Sequence, residues 1–529
     1  MNRLIRFTLT LAAISLAISG IASANTYYVA AIGSDSNSGT SKTTPWLHAP
    51  GMPSCKATCA GTSPQAGDSV IFRGGDTWTI SASWNWSWSG TNGNQIYIGV
   101  DQTWYTGSSW VRPILTGGGS FPGAAGTGDF LNLGTGNPSY VTVDNLEWTG
   151  LNWSAAVTGL VSYIGLGGNS ANILIEENYF HGWTHASAPE NNSAEVVSCG
   201  GGTSTSNQFF LNVVDGSDTA EDSFMGVEGS CVGYVYENEF KELMYGFNGN
   251  AKSIHDNVFD HVGFASYDGV SHNGIVISNL DDSGGSVFYN NVAVNSLPGA
   301  TGGVSFWQTP LAGAVSYGFN NVVPNGANIQ GVGAWCGEYY SSGAGGGSCT
   351  WFNNTVECGP DSNPVNACSR VGSGQSGPLI AGVNEYNSHV IYNSGGSLNT
   401  ISKECAAGAC PVATNNIVTQ TLSVANTQGY TLGEAYSFSP TASSNATVGA
   451  GLNENVLCAA ISLVDSKAGA ACLNDTTYAV SYNTATHTVT YPARTTIARP
   501  SAGAWDSGAY QFANGQQPNA PTGLTATVN

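Results

Sequence analysis

One short element recurs along this chain and narrows what it can fold into: an apolar strand that ends on asparagine and then resumes with an apolar residue. It reads VTVDNLEW at Asn145, ILIEENYF at Asn178, YVYENEF at Asn238 and SIHDNVF at Asn257. It returns as VFYNNVAV (Asn291), YGFNNVV (Asn321), TWFNNTV (Asn354) and, more weakly, HVIYNS (Asn393), at spacings from 19 to about 35 residues. A unit this short cannot bury its own apolar face, so copies must stack. The pattern therefore predicts a solenoid. Ile175, Val235, Ile254, Phe288 and Trp351 would share one inward position, and Phe180, Phe240 and Phe259 another, two residues after the asparagine. The asparagine amides would bond from rung to rung and satisfy buried turn groups. A β-sandwich would alternate along its strands without the fixed Asn-x-apolar element, and fits less well.

Composition agrees with an all-β chain. Charged residues are 9% of 529, with 70 glycines and 10% aromatics, too apolar for a disordered chain. The start, MNRLIRFTLTLAAISLAISGIASA, has basic Arg3 and Arg6, a short apolar run and small residues at 22–24. It reads as a secretory leader cleaved after Ala24, too short for a membrane span. No second apolar run of spanning length follows, so a secreted, extracellular monomer is expected. The 34 acidic against 13 basic residues give a net charge of −21, which argues against nucleic acid and anionic lipid as partners. Twelve cysteines in an exported chain point to disulfides between sequence neighbours, foremost Cys336–Cys349 and Cys358–Cys368.

Beyond the rungs, TYYVAAIGSDSNSG with AGDSVIFRGGDTW is similar to the amino-terminal cap of secreted right-handed parallel β-helix proteins of the pectate-lyase-like superfamily. NGNQIYIGV and VRPILTGGG resemble the first coils of that superfamily, and LGEAYSFSPTASSNATVGAGLN with ARPSAGAWDSGAYQF its closing segment. The resemblance implies a leader at 1–24, a cap at 25–114, a β-helix at 115–420, a closing segment at 421–512 and a tail at 513–529. It implies an extracellular protein that meets polysaccharide, by cutting it as a lyase or glycoside hydrolase or by binding it as an adhesin-like solenoid. The fold hosts many chemistries and does not choose among them. The Asn-Thr-Asp, Gly-Asp-Asp and Arg-Ile-Lys set of polygalacturonases is absent, as is the arginine-centred motif of the best-known pectate lyases, so no family catalytic residue transfers.

The site must be read from the loops that line the outer groove. Four successive ones are rich in ionisable groups: HGWTHASAPENNSAE, VVDGSDTAEDSF, KELMY and DHVGFASYDGVSHNG. Residues 291–337, the next two coils, hold no Asp, Glu, Lys, Arg or His. Stacking would bring Asp222, Lys241, Asp268 and His272 together as the catalytic candidates. Carboxylates about 5 Å apart suit a retaining glycosidase and roughly 6.5–9.5 Å an inverting one. A lyase would instead need a base such as Lys241 and a cation to neutralise a uronate carboxyl. Asp218 and Asp260 could hold that cation as Ca²⁺. His185, His261, Trp307 and Trp335 are candidate sugar contacts. For each residue a solvated structural role competes. His255 in particular reads as a stacking residue between Tyr236 and Tyr289, and Trp84, Trp86 and Trp88 as packing. Asp35 and Asn37 sit in a turn that an Asx motif explains as well as Ca²⁺ does.

Overall fold

The computed structural model describes residues 24–121, 128–153, 161–185, 194–200, 206–218, 225–228, 230–263, 274–278, 285–295, 304–308, 311–324, 332–338, 347–358, 369–373, 381–392, 401–404, 412–431 and 437–513. Three long sheets run through them. The first has 13 strands from Thr26–Val29 to Val412–Asn415, the second 11 from Trp84–Asn85 to Ile401–Glu404, the third 13 from Thr77–Thr79 to Val418–Thr421. In each coil the chain visits the first, third and second sheets in turn, and every strand pair between coils is parallel. The only antiparallel strand pair among the described residues is the small hairpin of Ser481–Asn483 with Thr488–Thr490. The expected all-β solenoid is the observed fold.

The inward columns form as the repeat implied. Ile175, Phe209, Val235, Ile254, Phe288, Gly318 and Trp351 are in register through the first sheet. Gly318 is needed there: a Cβ would lie 2.6 Å from Cδ1 of Trp351. In the third sheet Trp148, Phe180, Val214, Phe240 and Phe259 align, and Phe240 stacks on Phe259 at 5.2 Å. Each such buried ring contributes roughly 2–3 kcal/mol by removal from water.

Between these two columns the chain turns, and the turn explains the asparagine. The residue before it is left-handed, with φ near 55° at Glu177, Glu237, Asp256, Asn290, Asn320 and Asn353. Asparagine tolerates that region better than most residues, which accounts for the Asn-Asn pairs. The second residue faces inward and builds the ladder. Asn238 is typical: its Oδ1 accepts from the backbone N–H of Asn212 at 2.9 Å, and its Nδ2 donates to Asn257 Oδ1 at 2.9 Å and Phe209 O at 3.0 Å. The ladder runs through Asn178, Asn212, Asn238, Asn257, Asn291, Asn321 and Asn354. Two expected members are corrected. Asn145 takes the left-handed position (φ 56°), and Leu146 stands at the ladder position, because this coil carries its one asparagine at the first of the two turn residues. In the coil after Asn354 that position belongs to Ser388, and Asn393 lies outside the described residues. Asn212, in FFLNVV, is a ladder member that the pattern overlooked.

Residues 437–513 fold back over the outside of the first turn. The left-handed asparagines dock them: Asn320 Oδ1 accepts from buried Arg499, Asn353 Nδ2 donates to Asp506 O, and Asn387 Nδ2 to Leu452 O. Ile461, Cys458, Cys472 and Trp505 pack on Tyr289, Phe319 and Phe352. These belong to an external ring ladder, Phe210–Tyr236–His255–Tyr289–Phe319–Phe352, with centroids 4.5–5.1 Å apart. His255 therefore stacks as expected but is buried beneath this segment and not at the surface, its Nδ1 2.7 Å from Asp256 Oδ2. Trp84 and Trp86 are core, with Trp88 packed at its rim. Asp35 accepts from the backbone N–H groups of Leu47 and His48 and pairs with the His48 ring, so it serves the cap.

Cys55–Cys59, Cys199–Cys231 and Cys458–Cys472 are disulfides between sequence neighbours, as expected. Cys349 is also disulfide-bonded. The side chains of Cys336 and Cys358, and all of Cys368, lie outside the described residues.

Candidate active site

The outer face of the third sheet carries the ionisable column. Asp215, Lys241 and Asp260 are direct register partners on consecutive strands. Continuing the register by one residue puts His181 beside Asp215. Parallel strands stand about 4.8 Å apart, so Asp215 and Asp260 are separated by roughly 10 Å of backbone with Lys241 between them. The charges alternate down the column, which removes the like-charge penalty that a stack would otherwise carry.

At its upper end His181 is clamped by two carboxylates, Glu147 Oε1 at 3.1 Å from Nε2 and Asp218 Oδ2 at 2.7 Å from Nδ1. Burial alone would lower its pKa. The two hydrogen bonds and their charges outweigh burial and lift it to about 9, so the ring is an imidazolium at neutral pH. The ring lies flat on Tyr179 at 4.1 Å, and His487 covers the other face of Tyr179 at 4.0 Å. The Tyr482 hydroxyl bridges Asp215 Oδ2 at 2.7 Å and His487 Nδ1 at 2.8 Å. His487, by contrast, is pushed down, chiefly by burial.

The lower end is more open. Asp260 Oδ1 binds His261 Nδ1 at 2.7 Å and accepts from Asn295 Nδ2 at 2.9 Å, while its Oδ2 faces Lys241 Nζ at 3.8 Å. Burial works to raise the Asp260 pKa, but His261 and Asn295 hold it below the usual carboxylate value. The hydrogen bond to Asp260 raises His261, whose side chain is 43% exposed. With Nδ1 committed, proton exchange with anything outside falls to Nε2. Glu242, next to Lys241, is raised by burial despite the two cations beside it, and its backbone N–H donates to Asp260 O at 2.9 Å. Glu242 and His261 both have φ of 52°, at a bend where earlier coils place Gly150 and Gly182. A left-handed non-glycine residue costs roughly 1–2 kcal/mol. This bend leads into the loops named above.

Of the candidates read from sequence, Lys241, Asp260 and His261 come together here, and Asp218 lies at the His181 end of the same face. Asp222, Asp268 and His272 lie outside the described residues. His185 has only its backbone placed, in Thr184–His185 paired with Asn152 and Trp153. Trp307 and Trp335 are register partners on the second sheet, again as backbone. As for Ca²⁺, Asp218 and Asp260 serve different histidines, and among the described residues no group of three or more His, Cys, Asp or Glu could hold a metal. Tyr482 and His487 could not be anticipated from the repeat, since Tyr482 is 267 residues from Asp215 in the chain. The one available signal was a histidine in a chain with only eight.

The stacked parallel coils decide the architecture. The chain is a parallel β-helix. No family profile and no curated protein sequence matches it. Among solved structures it is similar to pectate lyase Pel9A (14% identity, 93% of this chain and 97% of that one, TM-score 0.41). It is also similar to a rhamnogalacturonan lyase (13%, 74% and 87%, TM-score 0.39) and to the PL6-family polysaccharide lyase Pedsa3628 from Pseudopedobacter saltans (13%, 68% and 90%, TM-score 0.38). Overlaps this loose transfer neither a residue nor an activity to the β-helix described here.

Proposed function

We propose that this β-helix is an exported polysaccharide-active enzyme, a glycoside hydrolase or lyase, working on the outer flank where the third sheet ends. One observation carries the reading: Lys241, Glu242, Asp260 and His261 gather acid, base and cation on two consecutive rungs, partly exposed, just before the sequence stretch that bears Asp268 and His272. Glu242 and Asp260 are carboxyls whose environments push their pKa values apart, up and down respectively, which is how an acid and a base are set side by side. In the proposed roles Asp260 orients His261, His261 moves the proton through Nε2, and Glu242 is the partner acid. Lys241 supplies a positive charge, or the base in an elimination. Asp222, Asp268 and His272 would extend the same groove. Export is supported by the leader-like start and by the disulfides.

A second reading, a glycan-binding solenoid without chemistry, is favoured by the pairing itself: His181, Lys241 and His261 each already face an opposite charge. The two readings separate on a panel of neutral and uronate polysaccharides. Release of new reducing ends marks hydrolysis, unsaturated-uronate absorbance marks elimination, and binding without either marks the solenoid.

A further inference from the structure

The amino-terminal edge of the first sheet holds a buried carboxylate that the active-site reading does not use. Asp68 is 1% exposed. Its Oδ1 accepts from the Asn25 backbone N–H at 2.7 Å and from Asn25 Nδ2 at 3.3 Å, and its Oδ2 from the Gln65 backbone N–H at 2.8 Å. None of the ion pairs among the described residues includes Asp68. A charge taken out of water with only neutral donors is costly, and a cation would relieve it. Asn25 itself is exposed, and Ala24 before it closes the small-residue run at 22–24.

We infer that Asp68 is the built-in receptor for the α-ammonium group that leader removal creates at Asn25. The inference rests on the export proposed above. A leader peptidase adds water across the Ala24–Asn25 bond; the carboxyl stays on Ala24, and the freed Asn25 amine takes a proton. The nitrogen that now donates as an amide then carries a full charge 2.7 Å from Asp68. A charge-assisted bond replaces a neutral one, roughly twice as strong. Strand Thr26–Val29 is the last in its sheet; it pairs with Ser69–Phe72, the strand that follows Asp68 directly, and on its other side Tyr28 and Ala30 make backbone bonds to Gly39 and Trp46. Processing therefore fastens the edge strand of the solenoid, and a chain that keeps its leader lacks that fastening.

Three chains test this: one starting at Asn25, one with a single glycine before Asn25, and the first carrying Asp68→Asn. The readout is the labelling rate of the terminal amine by an acylating reagent against pH, followed by peptide mass. An ordinary α-amine has a pKa of about 7.7–8.0, and one held by Asp68 lies higher. At pH 8 the Asn25 amine should label about fivefold more slowly than the glycine-extended amine, as a shift of about one pKa unit gives at that pH. Asp68→Asn should abolish the difference. The same shift makes the melting-temperature advantage of the Asn25 chain full below the ordinary amine pKa and lost as pH rises through the raised one. Equal labelling of the Asn25 and glycine-extended chains overturns the receptor role, and that comparison stands even where Asp68→Asn does not fold. Intact mass of exported protein starting elsewhere overturns the processing step separately, since the Asn25 chain can be made by cleavage in vitro.

Discussion

Replacing Asn238 by leucine should be among the most damaging single changes in the solenoid, although it keeps the branched side-chain skeleton. Asn238 is fully buried at the middle of the ladder. Its loss leaves the Asn212 backbone N–H without its acceptor and removes a donor from Phe209 O. Asn257 Oδ1 keeps the backbone N–H of Asn238 at 3.1 Å, so it is not orphaned. Two buried groups at about 1–3 kcal/mol each predict a loss of about 2–6 kcal/mol, with little returned by the apolar side chain because the position sits against backbone. Urea unfolding of the pure protein gives the stability change. Amide exchange at Asn212 then shows whether the damage is local, as nearest-neighbour coupling between coils requires. Leu146, which nature places at the same position one rung before Asn178, donates only its backbone N–H to the ladder. Ser388→Ala, past the far end of the asparagine run, is the control and should stay within about 1 kcal/mol. A loss below about 1 kcal/mol for Asn238→Leu, or unprotected exchange spread evenly over all coils, would refute the reasoning.

Three further outcomes are expected. Asp260→Asn removes the carboxylate charge behind the hydrogen bond that raises His261, so the His261 pKa, read from its ring proton shifts, should fall; an unchanged titration would mean that Asp260 does not hold the ring's proton. His389 is buried, bonded to Gln420 Oε1 through Nε2, and depressed by burial to about 4 from an ordinary 6.5. Its neutral form is the folded one, so its contribution is complete above pH 6.5 and is lost as pH falls toward 4, about 3 kcal/mol at most; His389→Gln should flatten that part of the stability–pH curve. Tyr482→Phe loses the bonds to Asp215 and His487 and should make the 481–490 hairpin a preferred cut in limited proteolysis, and a cutting pattern like the parent's would count against its anchoring role.

How far the sequence led can be judged at particular residues. The inward columns and most of the ladder follow from a two-residue strand period interrupted by one turn, so Ile175, Phe240 and Asn257 could be placed from spacing alone. Asn145 was misplaced because a single asparagine fits either turn position, and only its left-handed φ separates them. The ionisable flank was visible as composition, and Lys241, Asp260 and His261 do share one face there. What spacing could not supply is pairing between distant segments. The closing segment hides His255, bridges Asp215 through Tyr482 and stacks His487 on Tyr179, and these contacts depend on how residues 437–513 lie across the coils. The pairing of His181 with both Glu147 and Asp218 was likewise hidden, since its partners come from the coils before and after it.

The central claim is that the Lys241–Glu242–Asp260–His261 group performs chemistry on a polysaccharide. Its most direct test is turnover by the parent protein and by His261→Ala and Glu242→Gln on the substrate found in the panel, with circular dichroism and melting run beside each. Both side chains are partly exposed at a bend, so both variants should stay folded. Loss of a general acid or base predicts rates lower by about 10²–10⁴ in each. Folded variants of both residues that turn over substrate at the parent rate, or a parent protein that binds glycan and never cleaves it, would contradict the account.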